Sequence, residues 1–180
     1  MLPADPAAPF RISFVCTGNI CRSPMAEVVL RDQVARAGLS PLVEVRSAGT
    51  GDWHVGEQAD SRTIDALARR GYDGSHHRAR QFDPSTFHEL DLIVVFDRSQ
   101  ERILRNWAPS ELDRGKVRML LSLDAEQAHL RDVPDPYYSD PQMFDAVLLM
   151  IERATGALFR QLAPALRGGQ SANPPSAFLG

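Results

Sequence analysis

From about Phe10 to Leu166 short apolar runs alternate with helical patterns, and that alternation limits the folds open to this chain more than any other feature. It is the signature of an α/β domain built on a mostly parallel sheet. Phe10 to Val15 reads as a first strand, apolar at Phe10, Ile12 and Phe14. Ser23-Pro24 opens a helix, since Ser is a good N-cap and Pro suits the first helical position, and Gly38 closes it after Ala37. Leu42 to Ser47 is a second strand. Asp60 caps a helix with Ile64, Leu67 and Ala68 on one face, stopped at Gly71. Leu90 to Phe96 is an apolar run of buried-strand type, followed by a helix through Ile103 and Leu104. Val117 to Leu121 is the fourth strand. Phe144, Val147, Leu148, Ile151, Leu158 and Leu162 form the stripe of a last helix. The expected fold class is α/β: a single-domain doubly wound sheet of four parallel strands flanked by helices.

A length of 180 residues suits one domain, placed here at residues 10–166, with residues 1–9 and 167–180 as flexible ends. Hydrophobic residues make up 43% and charged residues 24%, which excludes disordered and collagen-like classes. Two cysteines cannot staple a fold, and no stretch approaches the roughly 20 apolar residues of a membrane span. The N-terminus lacks the basic flank and apolar run of a signal peptide, so the expected location is cytoplasmic. The net charge of −3 gives no support for binding nucleic acid or a membrane surface. Any anion must therefore be held locally. Nineteen arginines stand against one lysine, Lys116, so an isolated Arg means little.

The loop between the first strand and the first helix, Cys16-Thr-Gly-Asn-Ile-Cys-Arg22, is the exception. It leaves a strand and enters a helix N-terminus, where free backbone N–H groups favour an anion. Gly18 lets the backbone turn back on itself. Arg22 adds a planar fork of donors that matches two phosphate oxygens. The same positive field favours the thiolate of Cys16, the nucleophilic form. Asn19 and Ser23 can pin the loop and hydrogen-bond the Cys16 sulfur, which a merely structural turn would not need. Thr17, Gly18, Asn19, Ile20, Cys21, Arg22 and Ser23 are thus the expected phosphate loop. Between the fourth strand and the last helix, about Ser122 to Asp140, lies a long segment with little pattern, and loops of that length are usually functional. Asp135 sits in it, ahead of Pro136. Read alone, Asp-Pro is a turn initiator and Tyr137-Tyr138 are core anchors.

Phe14-Val-Cys-Thr-Gly-Asn-Ile-Cys-Arg-Ser-Pro-Met-Ala-Glu27 resembles the signature of the low-molecular-weight protein tyrosine phosphatases, bacterial type. Ser47-Ala-Gly-Thr-Gly51, Trp53-His-Val-Gly56, His77-Arg-Ala-Arg-Gln81 and Asp135-Pro-Tyr-Tyr138 resemble that family in its order and spacing, so the likeness runs from about Phe10 to Leu162. The resemblance implies phosphoryl transfer to Cys16 while Asp135 protonates the leaving phenol, then hydrolysis of the phosphocysteine by a water that Asp135 deprotonates. It implies no cofactor and no metal, the charge on the phosphoryl oxygens being met by Arg22 and the loop amides. It makes Trp53, Tyr137 and Tyr138 the walls of an aryl pocket, and His77 the partner of Asn19. From position alone Asp97, at the end of the third strand, is either a carboxylate supporting the site or a plain helix N-cap. Cys21 is either packing beneath the site or, as the resemblance suggests, a redox partner that traps an oxidised Cys16 as a disulfide.

The implied partners are phosphotyrosine-containing proteins, with phosphate and other oxyanions as competing ligands, and the expected state is a monomer. Where many relatives have Gly after the tyrosine pair, this chain has Ser139, which touches the hinging of the acid loop. Three other activities compete. A thiol-linked arsenate reductase needs further cysteines, and none follows Cys21. A phosphoarginine phosphatase resembles this chain but favours Thr where Ile20 stands. A catalytically dead phosphotyrosine reader would be expected to lose Cys16, Arg22 or Asp135, and all three are present.

Overall fold

The computed structural model describes residues 8–168. Four strands, β1 (Phe10–Cys16), β2 (Val43–Gly49), β3 (Leu92–Val95) and β4 (Val117–Met119), form one parallel sheet in the order β2-β1-β3-β4. Side chains alternate between its faces, as the pleat demands. Ile12, Phe14, Leu92 and Val94 enter the larger core with helices α1 (Arg22–Arg36) and α5 (Pro141–Gly168). Val15, Ile93 and Val95 enter a second core with Leu104 of α3 (Arg98–Trp107). Helices therefore cover both faces, which is the doubly wound arrangement expected.

The chain runs from β1 through α1 to β2 on one side, whereas β3 lies on the other side of β1. The loops after β1 and β3 thus diverge at the carboxyl edge, the place where such sheets hold ligands. Register puts Cys16 beside Gly49 and Val15 beside Val95, so the loop after β1 and the residue Asp97 open on the same crevice.

Several boundaries differ from expectation for identifiable reasons. Helix α1 begins at Arg22 with Cys21 as its N-cap and no side-chain cap bond. Ser23 does not cap it because its hydroxyl is engaged with Cys16. Helix α2 (Ser61–Arg69) is capped by Asp60, which accepts from Arg62 N, but it buries Thr63, Ala66 and Leu67 and leaves Ala68 exposed. Strand β4 stops at Met119, where Leu120–Leu123 turn into a 3-10 helix. A short helix α4 (Glu111–Gly115) follows α3, capped by Ser110. Arg167 and Gly168, assigned above to a flexible end, are the last residues of α5; the rest of that end and residues 1–7 lie outside the described residues.

Candidate active site

The loop from Thr17 to Cys21 is fixed from outside by its own carbonyls. Cys16 O accepts from Thr50 N at 2.8 Å, Thr17 O from Gly51 N at 3.0 Å and Ile20 O from Asp60 N at 2.9 Å. His77 Nε2 donates to Asn19 O at 2.7 Å. With these carbonyls turned outward, the amides of the turn are left for its interior, at the N-terminus of α1, where no acidic residue of the first turn competes for them. The left-handed backbone of the turn falls on Asn19 (φ 57°) and not on Gly18. Asn adopts that conformation more readily than most residues, and its side chain is tied down on both sides. A Cβ on Gly18 would instead stand 3.1 Å from the His54 ring, so what this glycine supplies is room.

Asn19 Nδ2 gives one hydrogen to Ser23 Oγ at 2.8 Å and the other to Ser47 Oγ at 2.9 Å, while its Oδ1 accepts from Arg80 N at 2.9 Å. Ser23 Oγ lies 3.0 Å from Cys16 Sγ. Because Asn19 donates to it, Ser23 keeps its own proton for the sulfur or for Ala48 O, which lies 3.3 Å away. Ser47 in turn donates to the buried carboxylate of Glu27, which Arg31 also reaches at 2.6 Å and His77 Nδ1 faces at 3.7 Å. Burial works against a charge on Glu27, but the facing His77 ring, the Arg31 charge and the Ser47 bond outweigh it and hold the carboxyl below its ordinary value.

Arg22 is buried, and its two terminal nitrogens do different work. Nη1 donates to Asp97 Oδ2 and to Val133 O, both at 2.9 Å. Nη2 faces Asp135 Oδ2 at 3.6 Å. Asp135 is half-exposed, and its other oxygen accepts from Tyr137 N at 3.1 Å. Asp97 uses both oxygens: Oδ1 caps α3 by accepting from Gln100 N at 2.9 Å while Oδ2 accepts from Arg22 Nη1. Between them lies an open cleft of about 440 Å³, with Cys16, Arg22 and Asp135 in its lining and Trp53, Tyr137 and Tyr138 around it. Trp53 is 68% and Tyr138 94% exposed, so neither is a core anchor; Tyr137 packs partly into the larger core. Cys21 also lines the cleft, as a free thiol, and burial above all, with the charge of Cys16 adding, pushes it up to about 12.

This constellation matches a known family. The family model described as low molecular weight phosphotyrosine protein phosphatase fits residues 11–167. The chain belongs to that family. It is 51% identical over 160 residues to a low molecular weight protein-tyrosine-phosphatase of Streptomyces coelicolor, covering 88% of this chain and 97% of the relative. It is 45% identical over 151 residues to low molecular weight protein-tyrosine phosphatase A of Mycobacterium tuberculosis, covering 83% and 90%. Among solved structures, YfkJ from Bacillus subtilis superposes with a TM-score of 0.81 at 34% identity, covering 88% of this chain and 97% of that one. Wzb of Vibrio vulnificus, in complex with benzylphosphonate, superposes at 0.72 with 30% identity, covering 84% and 98%.

Within this phosphatase frame three contributors escape a reading of the residues one by one. Gln100, buried on α3, reaches Thr17 Oγ1 at 3.2 Å. His54 enters the cleft wall and pairs with Glu57 at 2.8 Å. Arg62 is the third: it donates to Tyr137 O and Ser139 O, each at 3.0 Å, is gripped by both oxygens of Asp60, and lies 4.4 Å over the Phe144 ring. The tyrosine wall is thereby tied to the start of α2. No helix among the described residues is long and apolar enough to cross a membrane.

Proposed function

We propose that this chain hydrolyses phosphotyrosyl monoesters through a phosphocysteine at Cys16. The observation that carries the reading is the meeting, across one cleft, of a cysteine sulfur held by Ser23, an arginine with one terminal nitrogen uncommitted to the fold, and a half-exposed carboxylate. Cys16 sulfur attacks phosphorus in line as the bond to the aryl oxygen breaks, and Asp135 gives its proton to that oxygen. Arg22 Nη2 and the inward amides meet the charge on the phosphoryl oxygens. Asp135, now a carboxylate, takes a proton from water, whose oxygen attacks phosphorus and releases phosphate and the Cys16 thiolate.

The exposed aromatics support an aryl ester over a seryl one, because a ring spans the wall and a short alkyl chain does not. Wzb, of the same fold, is described in complex with benzylphosphonate, a phosphonate carrying a ring. The same reading takes the chain as a monomer acting on phosphotyrosine-containing proteins, in the cytoplasm. Cys21, beside the nucleophile in the cleft, supports reversible protection: peroxide converts the Cys16 thiolate to a sulfenic acid, and Cys21 displaces water from it to give a disulfide.

The test is a side-by-side comparison of kcat/KM on phosphotyrosyl, phosphoseryl and phosphoarginyl peptides of one sequence. The reading expects the phosphotyrosyl peptide to be fastest by at least about 100-fold, the scale a well-fitted site reaches against an ill-fitted substrate. A phosphoarginyl peptide turned over faster would transfer the same machinery to that substrate.

A further inference from the structure

We propose that Arg98 is a positioning residue for Asp135, acting through Asp132, so that the first turn of α3 ties the phosphate clamp to the acid loop. The inference rests on the reading of Asp135 as the acid. Arg131 has φ 60° and ψ −63°, and Asp132 N donates to Leu130 O at 2.7 Å. That is a γ-turn of the rare, strained kind, which a residue with a side chain holds only when its surroundings impose it.

What imposes it is Arg98. Its guanidinium grips Asp132 Oδ2 through Nε at 3.2 Å and Nη2 at 3.0 Å, and its backbone N–H donates to Asp132 Oδ1 at 3.1 Å. The Asp132 carboxylate thus also serves the first free amide of α3, where a negative charge is favoured. The next residue is held as firmly, Val133 N donating to Phe96 O at 2.7 Å and Val133 O accepting from Arg22 at 2.9 Å.

From there to the acid the chain has little freedom. Pro134 and Pro136 bracket Asp135, each fixing its own φ and restricting the residue before it. Only the two bonds of Val133 stand between a shift at Asp132 and Asp135, and the prolines leave the intervening backbone few other ways to absorb it. Asp97 and Arg98 are neighbours with complementary tasks, one holding Arg22 and the other the base of the acid loop. An open cavity of about 420 Å³ is lined by Arg22 and Asp97 as well as by Arg98, Asp132, Val133 and Asp135, so the acid loop borders free space. The Arg98 side chain is mostly exposed, and an ion pair so placed adds little to global stability. Its effect is then on geometry.

The experiment measures kcat/KM over aryl phosphates running from p-nitrophenyl phosphate, with a good leaving group, to phenyl phosphate, with a poor one. The proteins are the parent, Arg98→Ala, Arg98→Lys, Asp135→Asn and the double variant Arg98→Ala with Asp135→Asn. A displaced acid should slow Arg98→Ala about tenfold on phenyl phosphate and less than about twofold on p-nitrophenyl phosphate, with Arg98→Lys in between. Inhibition by inorganic phosphate and the Tm should stay at parent values, and adding Arg98→Ala to Asp135→Asn should cost nothing more. A loss equal across the series, or one that persists in full without the Asp135 carboxyl, overturns the proposal. If Asp135→Asn itself shows no dependence on the leaving group, the assignment of the acid falls and this inference with it. A steep dependence for Asp135→Asn beside a flat one for Arg98→Ala overturns the inference alone.

Discussion

Arg22 Nη2 and Asp135 Oδ2 face each other at 3.6 Å, while Nη1 of the same guanidinium is fully committed to Asp97 and Val133 O. In the mechanism proposed above, a bound oxyanion competes with Asp135 for Nη2, and its entry would free that carboxyl oxygen to work on the leaving group. Arg22→Lys keeps the charge but cannot serve both ends of the fork. Two charge-assisted hydrogen bonds are lost, and kcat/KM on p-nitrophenyl phosphate should fall at least about 100-fold. A lysine variant within about threefold of the parent would contradict this division of labour.

Glu27 anchors the far end of the chain of bonds that runs through Ser47, Asn19 and Ser23 to Cys16. Its carboxyl lies below the ordinary value of 4.5 in the folded protein, so its contribution to stability is present above that value and is lost as pH falls through the folded value. Urea unfolding of Glu27→Gln should show a deficit of about 2 kcal/mol at pH 7, since one partner of a buried charged set is gone. The deficit should shrink below about pH 4.5. A deficit constant with pH would mean that packing, not charge, is what Glu27 supplies.

Arg62 holds the tyrosine wall without facing the sulfur. Arg62→Ala should raise KM for a phosphotyrosyl peptide about tenfold, as expected for loss of hydrogen bonds from a charged group, and leave the leaving-group dependence of kcat/KM as in the parent. Steady-state kinetics on both substrate types separates the two, and a steeper leaving-group dependence would place Arg62 in the acid step instead.

The Cys21 thiol, pushed up to about 12 by burial and by the charge of Cys16, is a poor nucleophile toward a free alkylating agent at neutral pH; oxidation of Cys16 to a sulfenic acid removes that charge and sets an electrophilic sulfur beside it. Iodoacetamide at pH 7 followed by peptide mapping should label Cys16 and spare Cys21. Peroxide-inactivated parent should recover with thiol, and Cys21→Ser should recover far less. Equal recovery of the two would remove the protective role.

The sheet is legible in the sequence because Phe14 and Val15 must face opposite cores, and an alternation of that kind survives any tertiary context. Ser23 is misleading because its position before Pro24 looks like a cap, while its hydroxyl is engaged by Cys16, Asn19 and Ala48 O. The face of α2 is misread since Thr63, polar by type, turns inward and Ala68 outward. Asp135, Trp53 and His77 acquire roles only from the family resemblance, as nothing in their local spacing marks them. Arg98 and Asp132 are 34 positions apart, and the γ-turn at Arg131 has no glycine to announce it, so their pairing is visible only once the fold has brought them together.

Every step proposed for the reaction passes through the covalent intermediate at Cys16. Rapid acid quench of the parent during turnover of a ³²P-labelled phosphotyrosyl peptide, followed by peptide mapping, tests it directly. Label is expected on the peptide that carries Cys16 and none in Cys16→Ser, which should show no turnover. Label on another residue, or turnover by Cys16→Ser near the parent rate, would contradict it.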